Sequence, residues 1–490
     1  MRTAIKPAAL FLFFMALAVR AYHLDIPFLE PFNNYSRQSM CASVARNFYT
    51  HGFNLFYPEV DGNGAGPNLY NVEMPIYSYL MALGYRFAGG VKEWIARLVS
   101  VAFSMGFLAF LYLFMRKAAN EISARWALLF AALSPMVVAL SRSIQPDITM
   151  LFAGTGALYF FYLYSESGKF KYYALSAVFL FFAVLTRIFA LYFLLPIVCL
   201  AWEKEGFQFL RNLRHYAYLI FVLLSLSWYV YMWKMGRELN LLYEPYRYSP
   251  ATGYFVFLDY LRLKNLVLPA KAVFLHLLTP IGAVLFCLGI PGRGRARRVF
   301  GVWFGSTVFY LLLLWRTALI HPYYFLPLAG PTAFFVARGI ECIRRGEGIW
   351  GRLKHPVVVM AAATLLFLNL FYYYRLLYFV PADRMAVVEA GMAVDAMASQ
   401  EALVVAAYQT SPIQLYYCHR RGWSFDLREG VENERIVKLE GLRQKGALFF
   451  ITTELDALGG QPALTAYLSR FHLEKKTERY GIWRLGGQGA

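Results

Sequence analysis

Acidic residues are scarce in this 490-residue chain: 29 aspartates and glutamates face 48 lysines and arginines, a formal net charge of +19. Cysteine is scarce as well. The five cysteines lie far apart without metal-ligand spacing, and Cys199, Cys287 and Cys342 fall in or beside apolar runs. Cys41 and Cys418 are expected as free thiols, with a disulfide between them as the alternative. Internal repeats and low-complexity tracts are absent. So are ionisable residues along the middle of the apolar runs, and paired interrupted segments from repeated halves. Both are features of a transporter.

What abounds is apolar surface. Hydrophobic residues make up 59%, aromatics 18% and charged residues 16%, and the apolar residues gather in runs near the roughly 20 residues a helix needs to cross hydrocarbon. This excludes a soluble fold. About eleven spans are predicted, at residues 8–22, 97–115, 126–141, 148–164, 172–186, 188–202, 216–233, 270–290, 299–315, 322–337 and 356–379. Arg2 and Lys6 before the first run suggest a secretory signal, but Arg20, Tyr22, His23, Leu24 and Asp25 after it offer no small-residue cleavage site. A retained first helix is therefore expected.

Basic residues set the orientation. With a cytoplasmic amino terminus, every second loop is basic: Arg116, Lys117 and Arg125; Lys169 and Lys171; Lys204, Arg211 and Arg214; Arg293, Arg295, Arg297 and Arg298; Arg344, Arg345, Arg352 and Lys354. The intervening short loops carry little beyond Arg142, Arg187 and Arg316. The positive charge thus reads as topology and attraction to anionic lipid, with no nucleic-acid partner implied. The same parity puts on the outer side the first loop (23–92), the turn 141–147, the turn after Thr186, the loop 234–269, the turn before Pro322 and everything after about residue 380. A catalyst built there works where ATP and nucleotide sugars are not available.

The polar stretch from residue 30 to 80 is far longer than a turn needs to be. It holds Glu30, Arg37, Arg46, His51, Glu59, Asp61 and Glu73. RQSMCASVARNFY has helical periodicity and is expected along the membrane surface, with its arginines on lipid headgroups or in salt bridges. Glu73 precedes Pro75 at a helix start, where it could cap the helix, with Tyr70, Asn71 and Tyr77 nearby. The turn SRSIQPD packs Arg142, Gln145 and Asp147 into a short connection, and Asp147 could cap the next span. Arg187 interrupts VLTRIFALYF at the outer side, and His321 precedes Tyr323 and Tyr324 in LIHPYYFLPLAGP. After residue 379, β-like runs such as ALVVAAY and GALFFITT alternate with polar helical stretches. This is the rhythm of a small α/β domain at 381–490. It has neither a Gly-rich phosphate loop nor an evident catalytic triad and reads as a lid or docking module.

The order and sidedness of RQSMCASVARNFYTHG, VEMPIYSYLMAL, ARLVSVAF, SRSIQPDITMLF, VLTRIFALYFLLP and HPYYFLPLAGP resemble the GT-C superfamily of integral-membrane glycosyltransferases, of the protein O-mannosyltransferase and aminoarabinose transferase type. The resemblance covers residues 1–380. It implies an α-helical polytopic membrane protein with a large outer first loop, seated in the bacterial inner membrane with its C-terminal α/β domain periplasmic. The activity it implies is transfer of a sugar from a polyprenyl-phosphate donor to an envelope glycan, lipid or protein acceptor. On that resemblance Asp147, Glu73, Glu30 and Asp61 are the catalytic candidates. Arg187, Arg142, His321 and Arg37 would bind donor phosphate, and Tyr70, Tyr77 and Tyr324 would touch acceptor or sugar. A divalent metal ion could assist, though the dispersed carboxylates do not establish one. The family places a catalytic aspartate early in the first outer loop, where this chain has Arg37, Gln38, Ser39, Met40 and Cys41. Its role would pass to Glu30 by a small shift of the loop, or to Asp61, Glu73 or Asp147. The alternatives are a flippase for a lipid-linked saccharide and a noncatalytic glycan-binding protein of the same fold.

Overall fold

The structure is a computed structural model, and it describes residues 6–30, 32, 34–70, 73–239, 266–314, 318–319, 321–346 and 356–486. Much of the expected outer loop 234–269 lies outside the described residues, as do Asn71, Arg316, Arg352, Lys354 and Arg2.

Helices dominate the first 380 residues: α1 (Pro7–Ala21), α2 (Tyr35–His51), α3 (Ile76–Phe87), α4 (Glu93–Ala118), α5 (Glu121–Leu133), α6 (Pro135–Arg142), α7 (Asp147–Ser167) and α8 (Phe170–Thr186), then a series ending in Pro356–Tyr378. Local chemistry sets their ends. The Asn34 side chain accepts from the Arg37 amide to cap α2, Asn120 does the same for the Ser123 amide at α5, and α7 stops at Gly168, whose φ of +68° suits glycine.

By length and composition, four described segments can cross a membrane: Glu93–Ala118, Asp147–Ser167, Leu213–Glu238 and Pro322–Arg345. Two bent pairs raise the number to six, α5 with α6 at 63° and Val267–Leu277 with Thr279–Gly289 at 90°. The expected eleven are not reached by this measure. Runs that read as continuous are broken: Pro135 lacks an amide to continue α5, and after the extended Arg187 the chain forms a 3₁₀ turn, Ile188–Phe193, before resuming as helix. The two breaks support each other. Ser134 at the first donates its hydroxyl to the Leu277 carbonyl at the second, 2.7 Å away, satisfying a backbone group that apolar surroundings would penalise. Phe11, Phe14, Phe182, Ile220, Phe309 and Phe371 are exposed on the helix exteriors, as lipid-facing side chains of a polytopic membrane protein are.

Inside, one large apolar core joins α1, α4, α5, α7 and α8 to Arg295–Leu313 and Ala329–Arg345, with Trp303 fully buried in it. Gly289 and Gly339 let two helices meet at their backbones. A β-carbon at Gly289 would lie 1.8 Å from the Phe335 carbonyl oxygen, and one at Gly339 would lie 1.9 Å from that of Leu285.

The tail is a five-stranded sheet of order β2-β1-β3-β5-β4, with β1 Leu403–Ala407, β2 Gly422–Phe425, β3 Ala447–Thr452, β4 His472–Lys476 and β5 Gly481–Arg484. β1 runs parallel to β2 and β3, and β5 is antiparallel to β3 and β4. Helices Ala382–Met397 and Ile413–Cys418 cover one face, and Glu432–Gln444 and Pro462–Leu468 the other. The outer loop closes the β2 edge: the Gly64 amide donates to the Gly422 carbonyl at 2.7 Å, and the Gly422 amide donates to the Asp61 carbonyl at 2.9 Å.

Helix α2, expected along the membrane surface, is covered by protein on both sides. Gln38, Cys41, Ala42, Val44, Ala45 and Phe48 are buried, because α2 packs against α3 on one side and Ile413–Cys418 on the other. Of the two partners expected for its arginines, a headgroup or a salt bridge, Arg46 takes the salt bridge. That side chain ion-pairs with Asp61 and donates to the Tyr416 carbonyl at 2.7 Å. All five cysteines are free.

Candidate active site

Five chain breaks converge at one end of the helix bundle. The first turn of α2 contributes Asn34 and Arg37, the segment before α3 contributes Tyr70 and Glu73, and the first residue of α7 is Asp147. Arg187 follows α8, and His321, Tyr323 and Tyr324 open the 3₁₀ turn Pro322–Leu328. Helix ends leave amides and carbonyls free of internal partners, so charged side chains collect there at lower cost than in mid-span.

The charges form an alternating chain. Arg37 donates to Glu73 Oε1 and to the Tyr70 hydroxyl. Arg187 lies 3.9 Å from Glu73 Oε2, and it donates from Nε (3.1 Å) and Nη2 (2.6 Å) to Asp147 Oδ1. Two guanidinium groups thus balance two carboxylates, all largely buried, where an unpaired charge would cost several kcal/mol (about 3–5 for a broken buried pair). Asp147 Oδ2 is buried and has no hydrogen-bond partner among the described residues. The guanidinium of Arg187 lies over Tyr323 and Tyr324, 5.5 and 5.8 Å from the ring centroids. Burial pulls against its charge most strongly, but the Asp147 carboxylate together with Tyr324 and Tyr323 outweighs it and keeps Arg187 firmly protonated.

His321 is neutral. Burial, then the positive charges of Arg187 and Arg37, push its imidazolium down to about 4. The hydrogen bonds agree with this. Asn34 uses its side-chain oxygen to cap α2, so its amide NH₂ faces His321 Nδ1 at 3.1 Å, and Nδ1 must be the acceptor. The proton then sits on Nε2, a neutral donor.

Of the residues singled out from the sequence, Asp147, Glu73, Arg187, Arg37, His321, Tyr70 and Tyr324 are brought together here. Four are not. Glu30 lies in a fully buried ion pair with Arg97, 2.6 Å apart, so the loop shift that would carry it to the site is absent. Asp61 is held by Arg46 and by the Asn47 amide at 3.2 Å. Arg142 turns back to the carbonyls of Arg20 (2.7 Å), Tyr22 and His23 (2.8 Å), tying α6 to the end of α1. Tyr77 bonds Ser100 at 2.6 Å. Neither Glu73 nor Asp147 caps its helix: Glu73 and Asp147 Oδ1 go to arginines instead. Asn34 was not among the sequence candidates. Its signal is an asparagine three residues before a basic residue at the start of a helical run, an N-cap pattern that here also orients a site histidine.

Among the described residues no group of three or more His, Cys, Asp or Glu side chains is placed to hold a metal ion. Glu73 and Asp147 Oδ1 are held by guanidinium groups, and the one free carboxylate oxygen among the described residues of the site, Asp147 Oδ2, falls short of the several oxygens that a divalent cation takes.

The fold has solved counterparts. ArnT from Cupriavidus metallidurans in the apo state superposes with a TM-score of 0.67 over 98% of this chain and 99% of that one, at 13% identity. The chain has the GT-C fold. ArnT from the same organism bound to undecaprenyl phosphate matches at 14% identity and a TM-score of 0.62, covering 98% of each chain. An apo oligosaccharyltransferase of Archaeoglobus fulgidus matches at 10% identity and 0.57, over 91% of this chain and 69% of that one. The model of the dolichyl-phosphate-mannose-protein mannosyltransferase family matches residues 72–233, which run from Glu73 through Asp147 and Arg187. No curated protein matches this chain in sequence. Within the GT-C fold the ionic chain occupies the ends of α2, α3, α7 and α8, and the tail helix Ile413–Cys418 lies beside α2.

Proposed function

We propose that this protein is a membrane glycosyltransferase that moves a sugar from a polyprenyl-phosphate donor to a hydroxyl or phosphate of an envelope glycan, lipid or protein at the periplasmic face of a bacterial inner membrane. The observation that carries the proposal is the buried chain Arg37–Glu73–Arg187–Asp147 at the open ends of the helices. The GT-C fold, and the likeness to a structure bound to undecaprenyl phosphate, support a lipid-phosphate donor. The alternation of basic loops supports a cytoplasmic amino terminus.

In this reading the carboxylates hold both arginines in place until a phosphate arrives. A donor phosphate offers oxygens that match the guanidinium fork, and it competes with Glu73 for Arg37 and with Asp147 for Arg187. Asp147, with Oδ2 already unpartnered, accepts the proton of the acceptor hydroxyl. The acceptor oxygen attacks the anomeric carbon while the bond to phosphate oxygen breaks, and the electron pair leaves with the phosphate. Arg37, Arg187 and the Nε2–H of His321 face the charge that grows there. A single displacement inverts the anomeric carbon. Tyr70 and Tyr324 line the space beside the arginines and would contact the sugar.

Transfer of labelled sugar from a lipid-linked donor in proteoliposomes tests this. Asp147→Asn, Glu73→Gln and Arg187→Ala should each abolish transfer. Undiminished turnover in all three would overturn the site assignment. One observation favours a second reading: the start of α2, where the resemblance implies a catalytic aspartate, carries Arg37, Gln38, Ser39, Met40 and Cys41 and no carboxylate, which fits a noncatalytic glycan-binding protein of the same fold. Acceptor-dependent release of polyprenyl phosphate separates the two.

A further inference from the structure

The tail sheet has a switch point. The chain leaving β1 passes to Ile413–Cys418 on one face, and the chain leaving the adjacent parallel strand β3 passes to Leu455–Gly459 and Pro462–Leu468 on the other. In open α/β sheets the crevice outside the carboxyl ends of two such strands is where ligands bind, because the diverging loops leave room and present polar groups. Here its walls are Gln409 and Thr410 after β1, and Thr453 and Glu454 after β3.

Three features set this crevice apart. Gln409 and Thr410 are consecutive non-glycine residues in the left-handed region, at φ +47° and +56°, and both side chains are exposed. Such backbone costs energy and concentrates at binding sites. The Glu454 carboxylate is buried to 7% exposure, receives the Gln409 amide at 3.1 Å and pairs with exposed Arg428 at 2.8 Å. The hydroxyl oxygen of Thr453 is buried without a hydrogen-bond partner among the described residues. The crevice also adjoins the start of α2. Tyr35 donates its hydroxyl to the Gln409 side chain, and Ser36 bonds Ser411 at 2.8 Å, while Asn34 and Arg37 on the same helical turn reach His321 and Glu73. A single turn of α2, about 5.4 Å of rise, therefore carries both sets of groups.

We propose that this crevice is the acceptor subsite and that it takes a neutral, hydroxyl-rich saccharide. A carboxylate, an amide and a guanidinium are planar groups that pair with vicinal hydroxyls, and the half-buried ring of Tyr35 supplies an apolar face for a sugar ring. The proposal rests on the transferase reading for the word acceptor, but binding does not need turnover. The probes are lactose and N,N′-diacetylchitobiose, read by saturation-transfer NMR on the full-length protein in detergent. The variant is Gln409→Gly with Arg428→Ala: glycine suits the left-handed backbone, and both native side chains are exposed. Wild type should show saturation transfer to at least one disaccharide, and the double variant should bind it about tenfold more weakly, the equivalent of one or two hydrogen bonds. No transfer to either sugar in wild type, or equal affinity in the variant, overturns the subsite. Sugar binding without any transferase turnover would overturn the enzyme reading alone.

Discussion

Arg187 gives two of its N–H groups to a single oxygen of Asp147, at 3.1 and 2.6 Å, and leaves the other oxygen of that carboxylate without a partner. One half of Asp147 is an anchor and the other half is available to a reactant. Asp147→Asn keeps the shape and loses the charge, so transfer should fall by about a hundredfold or more. In a double-mutant cycle with Arg187→Ala, chemical denaturation should show a coupling of about 0.5–3 kcal/mol. Simple additivity in that cycle would mean that the two side chains do not form a unit.

The neutral state of His321 makes a pH prediction. An unfolded chain protonates this imidazole near the ordinary 6.5, the folded one only at about 4. Between those values the native state binds fewer protons, so the stability it gains from neutral imidazole is complete above about 6.5 and is lost as pH falls toward 4. The melting temperature of wild type relative to His321→Gln should be constant above pH 6.5 and fall below it. A flat difference down to pH 4 would contradict the assignment.

Asp61 and Glu30 should behave as structural acids. Asp61→Asn strands Arg46, and Glu30→Gln strands Arg97, each inside the protein. Each should cost about 3–5 kcal/mol of stability while leaving the turnover of the remaining folded protein within about twofold of wild type. A large loss of turnover at unchanged stability would return that residue to the list of catalytic candidates.

Gly339→Ala should separate two membrane helices. Its β-carbon would lie 1.9 Å from the Leu285 carbonyl oxygen, a backbone atom that cannot rotate aside. A loss of about 1–3 kcal/mol or more is expected, seen as a lower unfolding temperature in detergent. Gly301→Ala, with open space around it, should leave that temperature unchanged.

What the sequence revealed followed from chemistry that is local or topological. Arg187 between two apolar runs, Asp147 in a crowded turn, and His321 ahead of two tyrosines are each conspicuous where they stand, and the basic loops put them on one side. The α/β rhythm after residue 379 was equally plain. Pairings between distant segments left no such trace. Glu30 finds Arg97, and Asp61 finds Arg46, through packing that no periodicity encodes, so an acid at the right side of the membrane looked the same whether it faced a substrate or a structural arginine. Arg142 misled for a related reason: an arginine that binds backbone carbonyls is indistinguishable in sequence from one that binds phosphate. The helix RQSMCASVARNFY has a periodic apolar face, but its polar face is covered by a tail domain lying hundreds of residues away.

That covering has a temporal side. Arg46 of α2 donates to the carbonyl of Tyr416, 370 residues further along the chain, and the β2 edge closes on the outer loop at Asn63 and Gly64. A nascent chain makes α2 early and must hold it, with a buried-to-be arginine and an open apolar face, until the ribosome has added the tail. The helix that presents Asn34 and Arg37 is therefore finished only after Tyr416 has been made. A product that stops short of the tail would leave α2 without the cover of Ile413–Cys418.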